Sequence, residues 1–374
     1  PMLSVEFETA TLVDAIGKAA RFAPTKGSAL DKSGGIVILA EGPQYESVRV
    51  MATDLDNSFV RNVPTTQAHE DQDARDVRWR VAHVPLVAVM NGLPVESGSR
   101  VVLWCDDTEW MHIECGRTKA KLALYDQKVP YPDGFLDRFN LDDQFKDVEN
   151  FATKIAQIAW ACDPKSPIRA GVHLTGTHAV ATDGTSMARV PLDCPLDAPV
   201  TTAIDSALQL LRDYPEIALR ATQDELLVLV DDDTEVTCRL LKGAFPDGTK
   251  MLEAPIPDSI MVERDILLAS LSRVSAPFTD KMPRVLFRIT DTSIILKMES
   301  KEQGRIEDTI EHDQHVQSAH FWMTPGPLRD MLEGANENRL EMFYHPTGTE
   351  KPSLNFIRVQ DRLGYVAITM PRQP

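Results

Sequence analysis

The sequence lacks the motifs that would assign it to a common enzyme class. It has no GxxxxGK(S/T) phosphate loop, no GxGxxG fingerprint, no HExxH zinc motif and no GxSxG nucleophile elbow. Its longest apolar runs, such as Ile36–Ala40, are far shorter than the roughly 20 residues that span a bilayer. No apolar signal-peptide core is recognisable near the start. These absences predict a non-enzymatic protein without a membrane span.

Cysteine and basic residues are also scarce. The five cysteines, an odd number without CxxC spacing, favour reduced thiols in a cytoplasmic protein over a disulfide framework. Lysine and arginine number 39 against 56 aspartate and glutamate residues, which gives a formal net charge of −17. A chain this acidic does not grip nucleic acid by bulk electrostatics, because phosphate binding depends on cations. A local basic stripe is still compatible with the composition.

The remaining composition is that of a globular protein, with 43% apolar and 25% charged residues among 374. Apolar residues at helical spacing predict six helices, which begin near residues 11, 84, 148, 202, 262 and 325. The spacing places Leu12 and Ile16 on one face of the first helix, and Val84, Val87 and Met90 on one face of the second. Thr324 and Pro325 suit the N-cap and first position of the sixth helix. The segments between helices predict strands, such as Arg100–Cys105 and Val285–Ile289. Two helices and several strands therefore recur at about one third of the chain length, which indicates one domain used three times.

Short repeated segments support this threefold organisation. Ala52-Thr53-Asp54 recurs as Ala181-Thr182-Asp183, and Tyr131-Pro132-Asp133-Gly134 recurs as Phe245-Pro246-Asp247-Gly248. The Pro-Asp-Gly stretches are turn chemistry suited to closing a domain. We therefore expect an α+β protein with three tandem domains at residues 2–134, 135–255 and 256–374. Each domain is expected to pack two helices on mostly antiparallel sheets.

Three groups of acidic residues or histidines are candidate metal or catalytic sites. Glu311-His312-Asp313 with His315 and His320 could bind a metal ion, but their irregular spacing favours a polar loop. Asp231-Asp232-Asp233 is better explained as a hairpin turn than as a magnesium site. Asp54 and Asp183 could form a carboxylate pair, although their repeated setting favours a shared turn. We therefore expect no metal, no cofactor and no catalytic residue.

Basic residues on the predicted helices form a mild stripe. Each one alone is best explained as part of a solvated helix face, but equivalent helices of three domains would present them on equivalent surfaces. Such a stripe suits a protein that slides along DNA. The candidate DNA contacts are Arg21, Lys26, Lys154, Arg212, Arg264, Arg273 and Arg329.

Four segments, in this order along the chain, resemble the bacterial-type DNA polymerase III beta subunit, the processivity sliding clamp. They are Ala52-Thr53-Asp54-Leu55, Ala181-Thr182-Asp183-Gly184, the run from Leu241 to Asp247, and the run from Tyr365 to Arg372. The resemblance implies three domains of the DNA-clamp fold that pair head to tail into a dimeric ring around duplex DNA. It also implies three kinds of partner protein: the polymerase III catalytic subunit, a clamp loader, and other proteins that carry a clamp-binding motif.

The resemblance further implies a peptide-binding cleft between the second and third domains, and a dimer interface. The cleft residues would be Leu174, Thr182, Gly184, Thr185, Ser186, Met187, Pro246, Lys250, Met251, Thr324, Pro327, Ala367, Ile368, Thr369, Met370 and Arg372. The chain departs from the family pattern at residues 185–187 and 248–250. At the dimer interface, the strand with Ala120 and Leu122 would meet Pro277 and Phe278.

Two other functions compete with this interpretation. One is a multi-domain hydrolase or transferase that uses Asp54, Asp183 or the histidines from His312 to His320, although the sequence offers no pair of nucleophile and base. The other is a clamp-like scaffold that binds proteins but does not encircle DNA. The altered cleft residues and the mild basic stripe keep that second alternative open.

Overall fold

The computed structural model describes residues 3–24, 34–41, 45–70, 77–105, 109–126, 131–132, 134, 145–246, 248–279, 283–346 and 356–371. The chain forms two compact units, one from residues 1–152 and 202–240 and the other from residues 153–201 and 241–374. Among the described helices, none is long and apolar enough to cross a membrane.

The first unit contains two antiparallel sheets and three α-helices. The smaller sheet pairs β5 (Gln67–Glu70), β1 (Leu3–Glu8), β7 (Arg100–Cys105), β8 (Trp110–Cys115) and β9 (Thr118–Ala123), in that order. The larger sheet pairs β10 (Lys146–Glu149), β15 (Glu216–Ala221), β16 (Glu225–Asp231), β17 (Thr234–Arg239), β4 (Asn57–Pro64), β3 (Ser47–Thr53), β2 (Ile36–Ala40) and β6 (Val77–Val81). The helices are α1 (Thr9–Ala19), α2 (His83–Asn91) and α4 (Asp205–Leu211).

The second unit is built in the same way. Its larger sheet pairs β14 (Val200–Thr202), β11 (Val172–Leu174), β12 (His178–Thr182), β13 (Ser186–Pro191), β25 (Val366–Thr369), β24 (Ile357–Gln360), β23 (Arg339–Tyr344) and β18 (Asp258–Glu263). Its smaller sheet pairs β21 (Gly304–Glu311), β20 (Ser293–Ser300), β19 (Val285–Ile289) and β22 (Ala319–Met323). The helices are α3 (Phe151–Ile158), α5 (Thr249–Leu252), α6 (Arg264–Ser275) and α7 (Pro325–Glu333).

One order of elements occurs three times along the described chain: strand, helix, four strands, helix, three strands. The repeats start at β1, β10 and β18, with β5 as an additional strand in the first and α5 following the second. The four middle strands pair as β6-β2-β3-β4, β14-β11-β12-β13 and β22-β19-β20-β21. The remaining strands pair as β1-β7-β8-β9, β10-β15-β16-β17 and β18-β23-β24-β25. Each strand other than β5 therefore has an equivalent in the other two repeats.

Two strand pairs join neighbouring repeats into the eight-stranded sheets. We call the β4·β17 pair the first junction and the β13·β25 pair the second junction. Because each larger sheet continues into a neighbouring repeat, residues 135–255 are divided between the two units. The domain boundaries at 134 and 255 stay a prediction.

The helices bury their apolar faces, with one correction to the sequence prediction. In α1, Leu12 and Ile16 are fully buried as the spacing predicts. In α2 the predicted face is correct for Met90 and wrong for Val84. Leu86 and Met90 are buried and Val84 is 66% exposed, because the helix packs on the face that Leu86 and Met90 share at i, i+4 spacing. Thr324 does precede α7, but its side chain makes no capping hydrogen bond to that helix.

Candidate functional site

The turn between β12 and β13 is fixed by the side chains of Thr182 and Asp183. The Thr182 hydroxyl donates to the carbonyl of Ser186 at 2.7 Å and accepts from the amide of Gly184 at 3.1 Å. The Asp183 carboxylate accepts from the amides of Thr185 and Ser186 at 2.7 and 2.6 Å. Gly184 has φ +91°, a left-handed conformation that glycine adopts without strain. Asp183 therefore holds a tight turn, as its repeated Ala-Thr-Asp setting predicts.

The second junction brings this turn beside the end of the chain. Ser186 pairs with Thr369 and Met187 with Ile368. The hydroxyls of Ser186 and Thr369 are 2.9 Å apart and buried. Beyond β25, the amide of Met370 donates to the carbonyl of Thr185 at 3.1 Å. Segments nearly two hundred residues apart thus meet, and Met370 is left 42% exposed at the edge.

An apolar cluster surrounds the Met187–Ile368 pair of the second junction. Its buried members are Val180, Met187, Leu252, Phe356 and Ile368, and the half-buried members include Phe245, Met251 and Val366. The backbone of Gly248 lies directly on the end of the Met187 side chain, so a Cβ at that position would overlap the Met187 methyl and sulfur. The turn after Phe245 therefore closes over Met187, and the two segments form one surface.

The sequence did not predict several members of this cluster. Leu252 lies in α5, a single turn of helix that is too short for helical periodicity to reveal. Phe356 and Val180 carried no motif. Phe245 takes the place of Tyr131 in the recurring Pro-Asp-Gly segment, and this recurrence was the available signal. In the first unit, Tyr131 packs in a comparable cluster with Val37, Leu39, Met51 and Val60.

Helix α5 is tied to the sheet by two arginines. Arg358 on β24 donates from one nitrogen, Nη1, to the carbonyls of Leu252 and Ala254, at 2.9 Å each. Its guanidinium carbon lies 4.1 Å from the centre of the Phe343 ring. Burial lowers the pKa of Arg358, partly offset by the nearby Glu341 carboxylate. Arg189 on β13 makes a 2.7 Å ion pair with Glu253, and its hydrogen bond lowers the pKa of that carboxyl group.

The other predicted cleft residues differ in accessibility. Leu174 and Ala367 are fully buried strand residues, and Thr369 is buried between strands. Pro246 and Lys250 are exposed beside the cluster. Thr324 and Pro327 lie at the start of α7, a helix that packs against β25. Arg372 lies outside the described residues.

Most of the predicted DNA contacts are engaged within the chain. Arg21 donates to the carbonyl of Gln209 at 3.0 Å, and Arg264 donates to the carbonyl of Ala335 at 2.7 Å. Arg273 makes a 2.6 Å ion pair with Asp308. Arg329 donates to the hydroxyl of Ser275 at 3.4 Å, Lys154 is half-buried on α3, Arg212 is exposed after α4, and Lys26 lies outside the described residues.

The predicted dimer residues lie on or near the edges of the two smaller sheets. Ala120 and Leu122 are half-buried on β9, the last strand of its sheet. Pro277 is exposed after α6. Phe278 is only 8% exposed within its own chain, because it folds back into the unit instead of standing out from it. Phe278 therefore has little surface left for a partner.

Asp54 and Asp183, the two carboxylates of the competing hydrolase hypothesis, have structural partners. Asp54 accepts from the amides of Asp56 and Asn57 at 2.9 and 2.7 Å, as Asp183 does in its own turn. The predicted hairpin at Asp231 is confirmed, since Asp231 pairs with Thr234 between β16 and β17. In the described ranges, no three His, Cys, Asp or Glu side chains come together as metal ligands.

Comparison with solved structures covers the whole chain. A DNA polymerase III beta subunit from Thermotoga maritima matches with a TM-score of 0.80 and 18% identity over 100% of both chains. A beta sliding clamp from Caulobacter crescentus gives 0.82 and 18% over 100% of this chain and 99% of that one. A sliding clamp from Bacillus subtilis gives 0.81 and 17% over 100% of both. The chain has the sliding-clamp fold.

That fold confirms the predicted α+β class and the structural resemblance. No protein-family model matches the chain, and no curated protein matches it either. At 17–18% identity, these matches establish the fold of the chain. Its function has to be inferred from the side chains.

Proposed function

We propose that the chain is a DNA polymerase processivity factor, a homodimeric sliding clamp that encircles duplex DNA. In this proposal it tethers the polymerase III catalytic subunit and other proteins with clamp-binding motifs, and a clamp loader places it on DNA. The observation that carries the proposal is the full-length sliding-clamp fold, with an apolar surface where the predicted cleft residues meet. The chain itself would catalyse no reaction.

The second junction supports the tethering role. Met370, Met251 and Phe245 expose apolar surface beside a rigid, buried floor of Met187 and Ile368. Grooves of this kind bind short peptides through a few anchoring side chains, and Met adapts readily to different anchors. Lys250, exposed on α5, adds a cation for acidic or carboxyl groups. A peptide with Gln followed by spaced Leu and Phe should bind with a Kd on the order of 1 μM, or about −8 kcal/mol.

The strand equivalences support a homodimer. Strands β4 and β13 are equivalent to β21, and strands β17 and β25 are equivalent to β9. The first two pairs are joined in the junctions, whereas β21 and β9 are end strands in their sheets among the described residues. In a homodimer, β9 of each chain can pair with β21 of the other chain, so that both end strands gain a partner. Lys119 and Lys121, on the exposed face of β9, would then lie near Glu307 and Glu311 on the exposed face of β21.

This pairing can be tested without Phe278, whose burial would confuse unfolding with dissociation. Replacing Lys119 and Lys121 by Glu should give monomers in sedimentation at about 0.1 M salt, because like charges directly opposite one another destabilise a strand pair. Mixing that variant with one that carries Glu307→Lys and Glu311→Lys should give heterodimers, because one interface then has the exchanged charges and the other keeps the wild-type charges. A lysine variant that stays dimeric would exclude this pairing.

The DNA role rests on topology more than on affinity. A chain with net charge −17, whose candidate arginines are largely engaged internally, should bind DNA weakly at physiological salt. We therefore expect the loaded protein to stay on a nicked circle and to leave rapidly when that circle is cut to a linear form. Equal retention on both substrates would contradict encirclement.

The alternative is a clamp-like scaffold that binds proteins without encircling DNA. It is favoured by one observation, the internal engagement of Arg21, Arg264 and Arg273. Cations that already face carboxylates or carbonyls contribute less to phosphate binding. This scaffold would bind the same peptides, but it would not stimulate polymerase on a primed circular template and would not be retained on a nicked circle.

A further inference from the structure

Helix α5 carries Lys250 and Met251, two residues of the proposed cleft, yet it has little stability of its own. It consists of four residues, a single turn. A helix of this length does not persist alone, because nucleation is costly and its last carbonyls have no intrahelical partner. The position of Met251 therefore depends on what holds α5 to the sheet.

The Arg358 side chain supplies partners for these carbonyls. It is 9% exposed, and its two 2.9 Å hydrogen bonds reach Leu252, the last residue of α5, and Ala254, two residues beyond. One guanidinium nitrogen, Nη1, thus holds the end of α5 to strand β24. A second charged tie to this segment, from Arg189 to Glu253, ends on a carboxylate that is 66% exposed, and such a pair contributes little.

Arg358 is itself held in a row of residues across the sheet. It pairs with Phe343 on β23 and with Ile368 on β25, and Ile368 pairs in turn with Met187 on β13. The cross-strand neighbour Phe343 stacks on the guanidinium at 4.1 Å. Met187 and Ile368 of the cleft floor thus lie in the same row of strand residues as Arg358. Arg358 therefore connects the cleft floor to α5.

A buried arginine is costly unless its position has a use. Among the described residues, the buried Nε atom of Arg358 has no hydrogen-bond partner, so they compensate the guanidinium incompletely. Apolar residues of similar volume often replace buried charged groups with no loss of stability. The carbonyls of Leu252 and Ala254 are the groups that an apolar residue could not satisfy.

We propose that Arg358 is the positioning residue of the peptide-binding cleft. It fixes the end of α5, so that Met251 and Lys250 stand over the floor formed by Met187 and Ile368. It does not touch the partner peptide. This inference rests on the proposed function for its binding consequence, but its structural consequence at α5 can be measured without any peptide.

The structural arm of the test uses hydrogen exchange on three full-length proteins: wild type, Arg358→Met and Arg358→Lys. The amides of Met251 and Ala254, which bond to Gly248 and Met251, should exchange at least about tenfold faster in Arg358→Met. The amides of β24 and β25 should keep their wild-type rates. Arg358→Lys keeps the charge but loses the planar fork, so it should restore protection only in part. Unchanged exchange at α5, or a uniform increase across the sheet, would overturn the proposal.

The binding arm is a double-mutant cycle with a clamp-binding peptide, read by fluorescence polarisation. Arg358→Met and Met251→Ala should each weaken the peptide by about tenfold, and the double variant should be no weaker than the stronger single variant. Additive losses would mean that Arg358 does not act through α5 and would refute the role. The matched control is Arg288→Met, on an exposed position of β19 in another sheet, which should leave both readouts unchanged.

The two arms separate the failure of this inference from failure of the proposed function. If the wild-type protein binds no clamp-binding peptide, the partner role fails, while the exchange result still decides whether Arg358 positions α5. If the peptide binds and the cycle is additive, the cleft stands and the role of Arg358 falls.

Discussion

The two junctions have the same backbone design and opposite surfaces. In the first junction, the Thr53 hydroxyl donates to the carbonyl of Asn57 at 2.9 Å and accepts from the amide of Leu55 at 3.1 Å. The amide of Arg239 donates to the carbonyl of Asp56 at 2.7 Å, as the amide of Met370 does to Thr185 in the second junction. The hydrogen bonds of one turn thus map onto the other residue by residue.

The side chains at equivalent positions differ in polarity. Where the second junction has Met187 paired with Ile368, the first has Ser58 paired with Thr237. Where the second exposes Met370, the first has Arg239, which makes a 2.6 Å ion pair with Asp56. The first junction is therefore closed by polar groups and an ion pair, whereas the second exposes apolar surface at Met370.

The turn residue itself differs as well. Leu55 stands where the second turn has Gly184, and it keeps the left-handed backbone at φ +80° with its side chain 51% exposed. A left-handed conformation costs a non-glycine residue about 1–2 kcal/mol. The geometry of this turn is thus imposed by its Thr and Asp hydrogen bonds, strongly enough to hold even a leucine in it.

The largest expected effect comes from giving the second junction the side chains of the first. Met187→Ser combined with Ile368→Thr should lower the free energy of unfolding by about 4 kcal/mol or more, because each large-to-small core substitution costs roughly 2–5 kcal/mol. Urea unfolding measures this. Met370→Ser is the control, since an exposed residue should change stability by no more than about 0.5 kcal/mol. A loss below about 1 kcal/mol in the double variant would show that the junction does not depend on its apolar pair.

A smaller effect is expected from copying the ion pair alone. Thr185→Asp combined with Met370→Arg should weaken a clamp-binding peptide by about 10- to 100-fold, because an apolar anchor is replaced by a solvated ion pair. Stability should change little at these exposed positions. The reciprocal variant, Asp56→Thr with Arg239→Met, should leave peptide binding unaltered. Equal losses in the two variants would place the peptide elsewhere.

The sequence predicted the repeats because repeated chemistry has local signals. The Ala-Thr-Asp turns need their hydrogen-bonding side chains at fixed positions, and helices such as α1 show their buried face in the spacing of Leu12 and Ile16. Strands β7 and β19 have the limits that their residues predict. The α+β class and the threefold repeat could therefore be inferred from the residues, whereas the clamp-type fold was inferred from the resemblance of four segments to the sliding-clamp family.

Interactions across the sheet could not be predicted in this way. Nothing local in β24 indicates that Arg358 reaches Leu252, because the two residues lie 106 positions apart. Phe278 was an apolar residue after a helix, and only the folded chain shows that it is buried. The ends of α2 were visible, but its buried face depends on the strands it meets, so the predicted face was rotated toward Val84.

The smallest expected effect concerns charge at the first junction. The hydroxyl of Ser206 donates to the Asp54 carboxylate, which places the start of α4 beside Asp54 and Asp56. Burial, followed by the charges of Asp54 and Asp56, raises the pKa of Asp205 above its ordinary value of 3.8. The second junction has no described counterpart of this acidic group. Asp205→Asn therefore sharpens the comparison, because it removes a charge without changing the size of the side chain.

The sign of the effect follows from proton linkage. Because the folded state holds the Asp205 proton to higher pH than the unfolded state, this group makes the free energy of unfolding fall as pH rises from 3.8 through the folded-state pKa. Above that range the penalty is fully present, and below 3.8 it vanishes. Asp205→Asn should therefore raise the Tm relative to wild type at about pH 7 and lose this advantage by about pH 3. Thermal unfolding of both proteins at the two pH values measures the difference. An advantage of equal size at both pH values would mean that the substitution acts through packing or hydrogen bonding, and that the carboxylates of the first junction do not repel one another.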